Sequence, residues 1–239
     1  MALFRSLVFA AALAGLLTGV LVTLAQQMGV VPLILAAEVF EGAEVPGPAS
    51  EPAASAAHDH GDHDHEAWAP QDGLERTMFT LVANILTGTG FALLLTAAFA
   101  LRGHAIGWRQ GLFWGLAGFA VFMIAPAIGL PPELPGMPAA PLLPRQLWWI
   151  ATVLATAVGL GLLVFRASPL WAVVAVGLMI APHLVGAPQP EDAATAVPEE
   201  LHHRFVVAVT VTSFLFWVAL GVSSAWFFER FRSDRTQAA

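Results

Sequence analysis

The strongest constraint on this chain is a succession of apolar stretches, at about 4–24, 78–101, 110–130, 146–165, 169–185 and 205–228. Hydrocarbon offers no water to backbone N–H and C=O groups, so a run of roughly 20 apolar residues crosses it as a helix. The expected fold class is therefore all-α: a polytopic integral membrane helix bundle of about six transmembrane helices with an outer His-rich loop. The chain reads as a single membrane domain over 1–239, interrupted by an extracytoplasmic segment at 42–75. Only 11% of residues are charged, and nearly all fall in the connections, as a membrane bundle requires.

Several connections are written in helix-breaking chemistry. Apolar sequence from 4 to 39 is too long for one straight span, so a break is expected between Gly29 and Pro32. Residues 33–39 then form a short interfacial helix that carries Glu38 and Glu41 towards the loop. The first stretch exceeds the ~7–15 apolar residues of a signal peptide, so a retained helix is expected, with a cleaved leader as the competing reading. Pro131 to Pro138 cannot be helical and reads as a stiff connector. Gly15 and Gly19, and the series Gly103, Gly107, Gly111 and Gly115, recur at intervals of four. This small-residue pattern lets a neighbouring backbone approach closely.

Orientation follows from arginine. With six spans, Arg5, Arg102, Arg109, Arg166, Arg230, Arg232 and Arg235 fall on one side, and Arg76, Arg145 and Arg204 on the other. Cytoplasmic connections carry the excess of positive charge, so both termini are expected in the cytoplasm. Of the acidic residues, only Glu229 and Asp234 lie on that side.

The segment 42–57 is a flexible Ala-, Pro-, Ser- and Glu-containing linker. It leads to His58, Asp59, His60, Asp62, His63, Asp64, His65 and Glu66. A run with no apolar face builds neither a core helix nor a buried strand. Neutral imidazole suits divalent nickel, cobalt, copper and zinc, and the interleaved carboxylates add charge and oxygen ligands. Metal capture is the expected role, and a solvated polar linker is the competing reading. A second candidate site gathers His183, His202, His203, Glu38, Glu41 and Glu133 near the outer helix ends. His183, between prolines at the end of a span, is the sharpest of these; an interfacial histidine bonded to a carbonyl is its competing reading. His202 and His203 also read as a polar helix start.

Other functions are disfavoured. The chain has no Cys and no Lys, which removes thiolate metal sites and the Walker A lysine. The net charge of −7 gives no reason to expect nucleic acid as a partner. His65-Glu66 lacks the second histidine of HExxH, and no GxSxG or dinucleotide loop occurs. The chain is therefore not expected to be an enzyme, and no cofactor is expected beyond a metal ion as substrate.

Several longer motifs carry a family resemblance: WAPQDGLERT from Trp68 to Thr77, NILTG from Asn84 to Gly88 and RQGLFWGLAGF from Arg109 to Phe119. APAIGLPPELPG from Ala125 to Gly136, RQLWW from Arg145 to Trp149 and PHLVGAPQP from Pro182 to Pro190 continue it. In these the chain resembles the CbtA family, the probable cobalt transporter subunit associated with cobalamin-producing bacteria. The resemblance implies a cobalt uptake role in a bacterial inner membrane and a small single-span CbtB-type partner subunit. It also implies five spans, where the count here is six.

The expected function is a membrane subunit that takes up a divalent transition metal, with cobalt first and nickel or zinc as alternatives. The outer His-Asp loop would concentrate metal, and His183 with nearby carboxylates would receive it. A non-transporting metal sensor or scaffold is the rival from another class.

Overall fold

The computed structural model describes residues 2–41, 70–103 and 105–236. The His-Asp run at 58–66 and His104 lie outside the described residues. Eight helices follow in order: α1 (Ala2–Gly29), α2 (Val31–Glu38), α3 (Leu74–Arg102), α4 (Trp108–Phe119), α5 (Ala125–Gly129), α6 (Leu142–Phe165), α7 (Pro169–Val185) and α8 (Glu199–Thr236). No strand occurs among the described residues, and the all-α membrane bundle is borne out. The break after Gly29 falls where Pro32 was expected to force it, and Pro sits in the first turn of α2, where its missing N–H costs nothing.

Five helices are long and apolar enough to cross a membrane. The fifth apolar stretch of the sequence forms α7, which has 17 residues, about 25 Å at 1.5 Å per residue against a hydrocarbon thickness near 30 Å. It nevertheless runs antiparallel to α6, with Trp148 Nε1 donating to the Pro182 carbonyl at 3.0 Å. Most helices run past the expected boundaries, α1 to Gly29 and α6 from Leu142 among them. Helix α3 begins at Leu74 and α8 extends from Glu199 to Thr236, because polar and charged residues continue a helix freely once it leaves the hydrocarbon.

Glycines set the packing. On the α1–α3 seam, a Cβ on Gly19 would lie 2.7 Å from the Ile85 Cα, and Gly15 meets Thr89 and Gly88. On the α4–α8 seam, Gly111 and Gly115 face Gly221, where a Cβ on Gly221 would approach the Gly115 Cα to 2.8 Å. On α6–α7, Gly159 admits Met179 and the Ala175 carbonyl. Without a hydrophobic difference between helix and lipid, close backbone approach and van der Waals contact hold such seams together. Between them lies a core of Ala10, Ala14, Ala92, Phe99, Trp217 and Leu220.

The span from α4 to α5 is continuous but not uniformly α-helical. Residues Ala120–Ile124 form a π turn, with the Ala125 N–H bonded back to the Ala120 carbonyl. Pro126 supplies the reason: it has no N–H for the Phe122 carbonyl, and its ring would crowd that residue. Widening the preceding turn relieves both. The turn aims Phe122 at Phe91, at a centroid distance of 4.9 Å, and stacks it on Trp217 at 5.4 Å.

The antiparallel order puts α1 residue 2 and the end of α8 at one end of the bundle. There the Ile106 N–H donates to Glu229 Oε1 at 2.7 Å, and Arg102 sits 5.8 Å from the Phe165 ring centroid. At the opposite end, where residues 41 and 70 flank the His-Asp segment, the proline-rich connector folds over α2. Leu134, Val197 and Phe205 pack with Val30, Leu33 and Ala37. Gly136 takes φ 79°, a conformation that favours glycine; a Cβ there would also meet the Phe40 carbonyl at 3.0 Å.

Candidate functional site

All the described residues singled out as ligands lie at this loop end, and each has an identifiable environment. Glu38, the last residue of α2, accepts from Arg76 at 2.7 Å, and Arg76 reaches Asp72 at 3.1 Å. The pair ties the end of α2 to the first turn of α3. Glu133, on the connector, pairs with Arg145 in the first turns of α6 at 3.0 Å. Arg145 thus takes Glu133, and Arg76 takes Glu38 and Asp72. Two positions of the candidate site are therefore carboxylates already neutralised by arginine.

The three histidines differ. His202 Nε2 stands 3.0 Å from the Pro132 carbonyl oxygen. A carbonyl only accepts, so Nε2 carries the proton and Nδ1 is the nitrogen left for a metal. His203 is exposed beside Arg204, over a groove walled by Met28 and Leu33. His183 lies in the last turn of α7, half-buried, with its ring edge-on to Trp148 at a centroid distance of 5.7 Å. Its position is held from both sides, because the Pro182 carbonyl accepts from Trp148 and also from the Gly186 N–H at 3.1 Å. The carbonyl contact considered for His183 belongs instead to His202. Among the described residues, no three of these histidines and carboxylates come together as a group able to hold an ion. The eight loop ligands lie outside the described residues.

Sequence reasoning passed over one polar cluster. Asn84, within α3, donates from Nδ2 to Thr23 Oγ1 at 2.9 Å and to Gln26 Oε1 at 2.6 Å. Thr23 spends its own proton on the Gly19 carbonyl at 2.7 Å. Thr23 must therefore accept from Asn84, which fixes the amide's orientation. The available signal was Asn84 itself, an amide in the middle of a hydrophobic stretch.

The class of protein is thus a polytopic α-helical membrane protein with its candidate ligands at one end. A family model described as probable cobalt transporter subunit (CbtA) matches residues 4–229. The chain belongs to that family. No curated protein and no solved structure matches it.

Proposed function

We propose that this chain is the membrane subunit through which a divalent transition metal, cobalt, enters the cell. The single observation that carries the reading is the family match over residues 4–229, which supports a cobalt transporter subunit and points to transport over catalysis. Two features support the finer statement. Residues 41 and 70, the described residues on either side of the His-Asp segment, lie at the end stapled by Glu38 and Arg76, and His183, His202 and His203 all lie at that end. Metal gathered by His58, His60, His63 and His65 with Asp59, Asp62, Asp64 and Glu66 would therefore be released beside the helix mouths. Divalent affinity at N/O sites ordinarily places nickel and copper above cobalt, so geometry, availability or a second subunit sets the choice. A single-span CbtB-type partner is part of this proposal, as is the bacterial inner membrane.

The orientation proposed puts both termini in the cytoplasm, because Arg5, Arg102, Arg109, Arg166 and Arg230 share one end. The absence of native cysteine makes this easy to check. Ser55→Cys is expected to react with an impermeant maleimide from outside intact cells; reaction only after the cytoplasmic face is opened would invert the topology.

The functional test is cobalt flux into proteoliposomes holding the purified chain, with and without a co-purified small subunit. Accumulation above empty liposomes is expected. Cobalt binding without flux in either preparation would return the chain to a sensing or buffering role.

A further inference from the structure

In the half of the bundle nearer the loop, α3 and α8 stand apart and leave a cavity against α1 of about 170 Å³. At about 30 Å³ per molecule this is room for on the order of five waters. Gln26, Asn84, Thr87, Thr212 and Ser213 supply its polar groups, and three valines and Phe216 line the rest. Asn84 follows Arg76 by just over two helical turns, and Thr212 follows Arg204 by the same interval. At about 1.5 Å per residue that is roughly 12 Å below the level of those arginines, within the hydrocarbon.

The lining gathers several polar side chains at that depth. Thr80, Thr96, Thr152, Thr210 and Ser223 bond back to the carbonyl one turn earlier at 2.6–2.9 Å, while Thr18, Thr156 and Ser224 are buried without a partner among the described residues. Thr87, Thr212 and Ser213 have no hydrogen-bond partner among the described residues. Asn84 commits both protons to Thr23 and Gln26, which leaves its carbonyl oxygen without a donor. Polar atoms left unmatched at membrane depth are costly unless water or a ligand meets them. The available groups are the hydroxyls, the Asn84 carbonyl oxygen and the Gln26 amide nitrogen, and the lining contains no Arg, Lys or His to favour an anion.

Towards the termini the gap closes. Phe91 of α3 packs on Trp217 at 4.8 Å and on Phe216 at 6.3 Å, and Phe122 stacks behind them on Trp217. The cavity is therefore a vestibule of mixed polar and apolar lining with an aromatic floor.

We propose that this vestibule is a transit site for a partly hydrated divalent cation, held by neutral amide and hydroxyl oxygens between α1, α3 and α8. The identity of the ion rests on the uptake reading. Neutral ligands suit a transit position: a site must bind well enough to admit an ion and weakly enough to release it. Carboxylates at this depth would trap a dication, and two of those in the loop-end layer, Glu38 and Glu133, are paired with arginine.

The experiment uses single cysteines in the full chain, reconstituted in liposomes and treated with an impermeant cationic methanethiosulfonate. Ser213→Cys and Thr212→Cys report on the vestibule. Val211→Cys, on the adjacent lipid-exposed position of α8, is the depth-matched control. The vestibule cysteines are expected to react at least about tenfold faster than the control, since a charged reagent is excluded from hydrocarbon, and cobalt is expected to slow them. Equal rates at all three positions would overturn the hydrated vestibule. Fast labelling that cobalt leaves unchanged, in liposomes where the unmodified chain accumulates cobalt, would overturn the transit site and leave the uptake reading intact. Protection by cobalt without any accumulation would sustain ion binding here and remove uptake.

Discussion

Gly221→Leu is expected to abolish most of the folded, monodisperse protein recovered from membranes. Gly221 faces Gly111 and Gly115 across the α4–α8 seam, and a Cβ there would already lie 2.8 Å from the Gly115 Cα and closer still to the Gly111 carbonyl. The obstruction on both sides is backbone, so no side-chain rotation relieves it. Overpacking by a methylene or two in a rigid core costs about 1–3 kcal/mol, and four added carbons against backbone require the helices to separate. Separation would also pull Trp217 away from Gly118, into whose missing side chain its ring fits. Gly90→Leu in α3 and Gly161→Leu in α6 provide the contrast, because nothing stands within 4 Å of a Cβ at either position. Leucine has the better helix propensity by about 0.8–1 kcal/mol, so these two variants are expected to match or exceed the parent chain. Size-exclusion profiles and thermal transitions of the three detergent-extracted variants decide the matter. Equal recovery of Gly221→Leu and Gly90→Leu would show that the α4–α8 seam is not held by backbone approach.

The glycines also show how far the sequence can be read. Gly15 and Gly19 were legible as a seam because the interval of four puts both on one helix face, and they do meet α3. Of the series Gly103, Gly107, Gly111 and Gly115, only the last two pack against a neighbour. Gly103 ends α3 at φ 72° and Gly107 precedes α4, so the regular spacing ran across a connection and was partly accidental. Gly221, the partner, stands alone in α8, and a partner on a distant helix has no local signature. The same reason hid the vestibule. Asn84 was visible, but Thr212 and Ser213 lie far along the chain, and only the antiparallel order of α1, α3 and α8 sets them around it. Breaks at Gly29–Pro32 and Pro131 were legible because proline acts on its own backbone. The π turn at Ala120–Ile124 was not anticipated, since the effect of Pro126 falls on the turn before it. The arginine partners illustrate the limit once more: Arg76 reaches past the adjacent Glu75 to Glu38, which a separate helix brings to it.

Deleting His58–Glu66 and replacing His183 with alanine are expected to damage uptake in different ways. The loop is a tethered collector in the proposed function, so it raises the metal concentration at the helix mouths without forming the path. Its deletion is expected to raise the cobalt concentration for half-maximal uptake by on the order of tenfold or more, with the maximal rate largely kept. His183 is placed differently. Pro182, Trp148 and Gly186 hold its backbone in the last turn of α7, and its ring nitrogens have no hydrogen-bond partner among the described residues. A fixed imidazole with free nitrogen is suited to hand an ion from loop to bundle. Losing a ligand contact of about 1.4 kcal/mol is a factor of ten, so His183→Ala is expected to lower the maximal rate by roughly that much. Because Trp148 bonds to the Pro182 carbonyl and not to the histidine, the variant is expected to fold, and its recovery checks this directly. His202→Ala serves as a comparison, since that ring donates to the Pro132 carbonyl and keeps Nδ1 free; a fall in rate as large as that of His183→Ala would make the two histidines joint ligands. Uptake is titrated with cobalt for each variant and normalised to membrane-inserted protein. Normal transport by His183→Ala, with uptake lost at every concentration in the loop deletion, would reverse the ranking and make the loop the obligatory site.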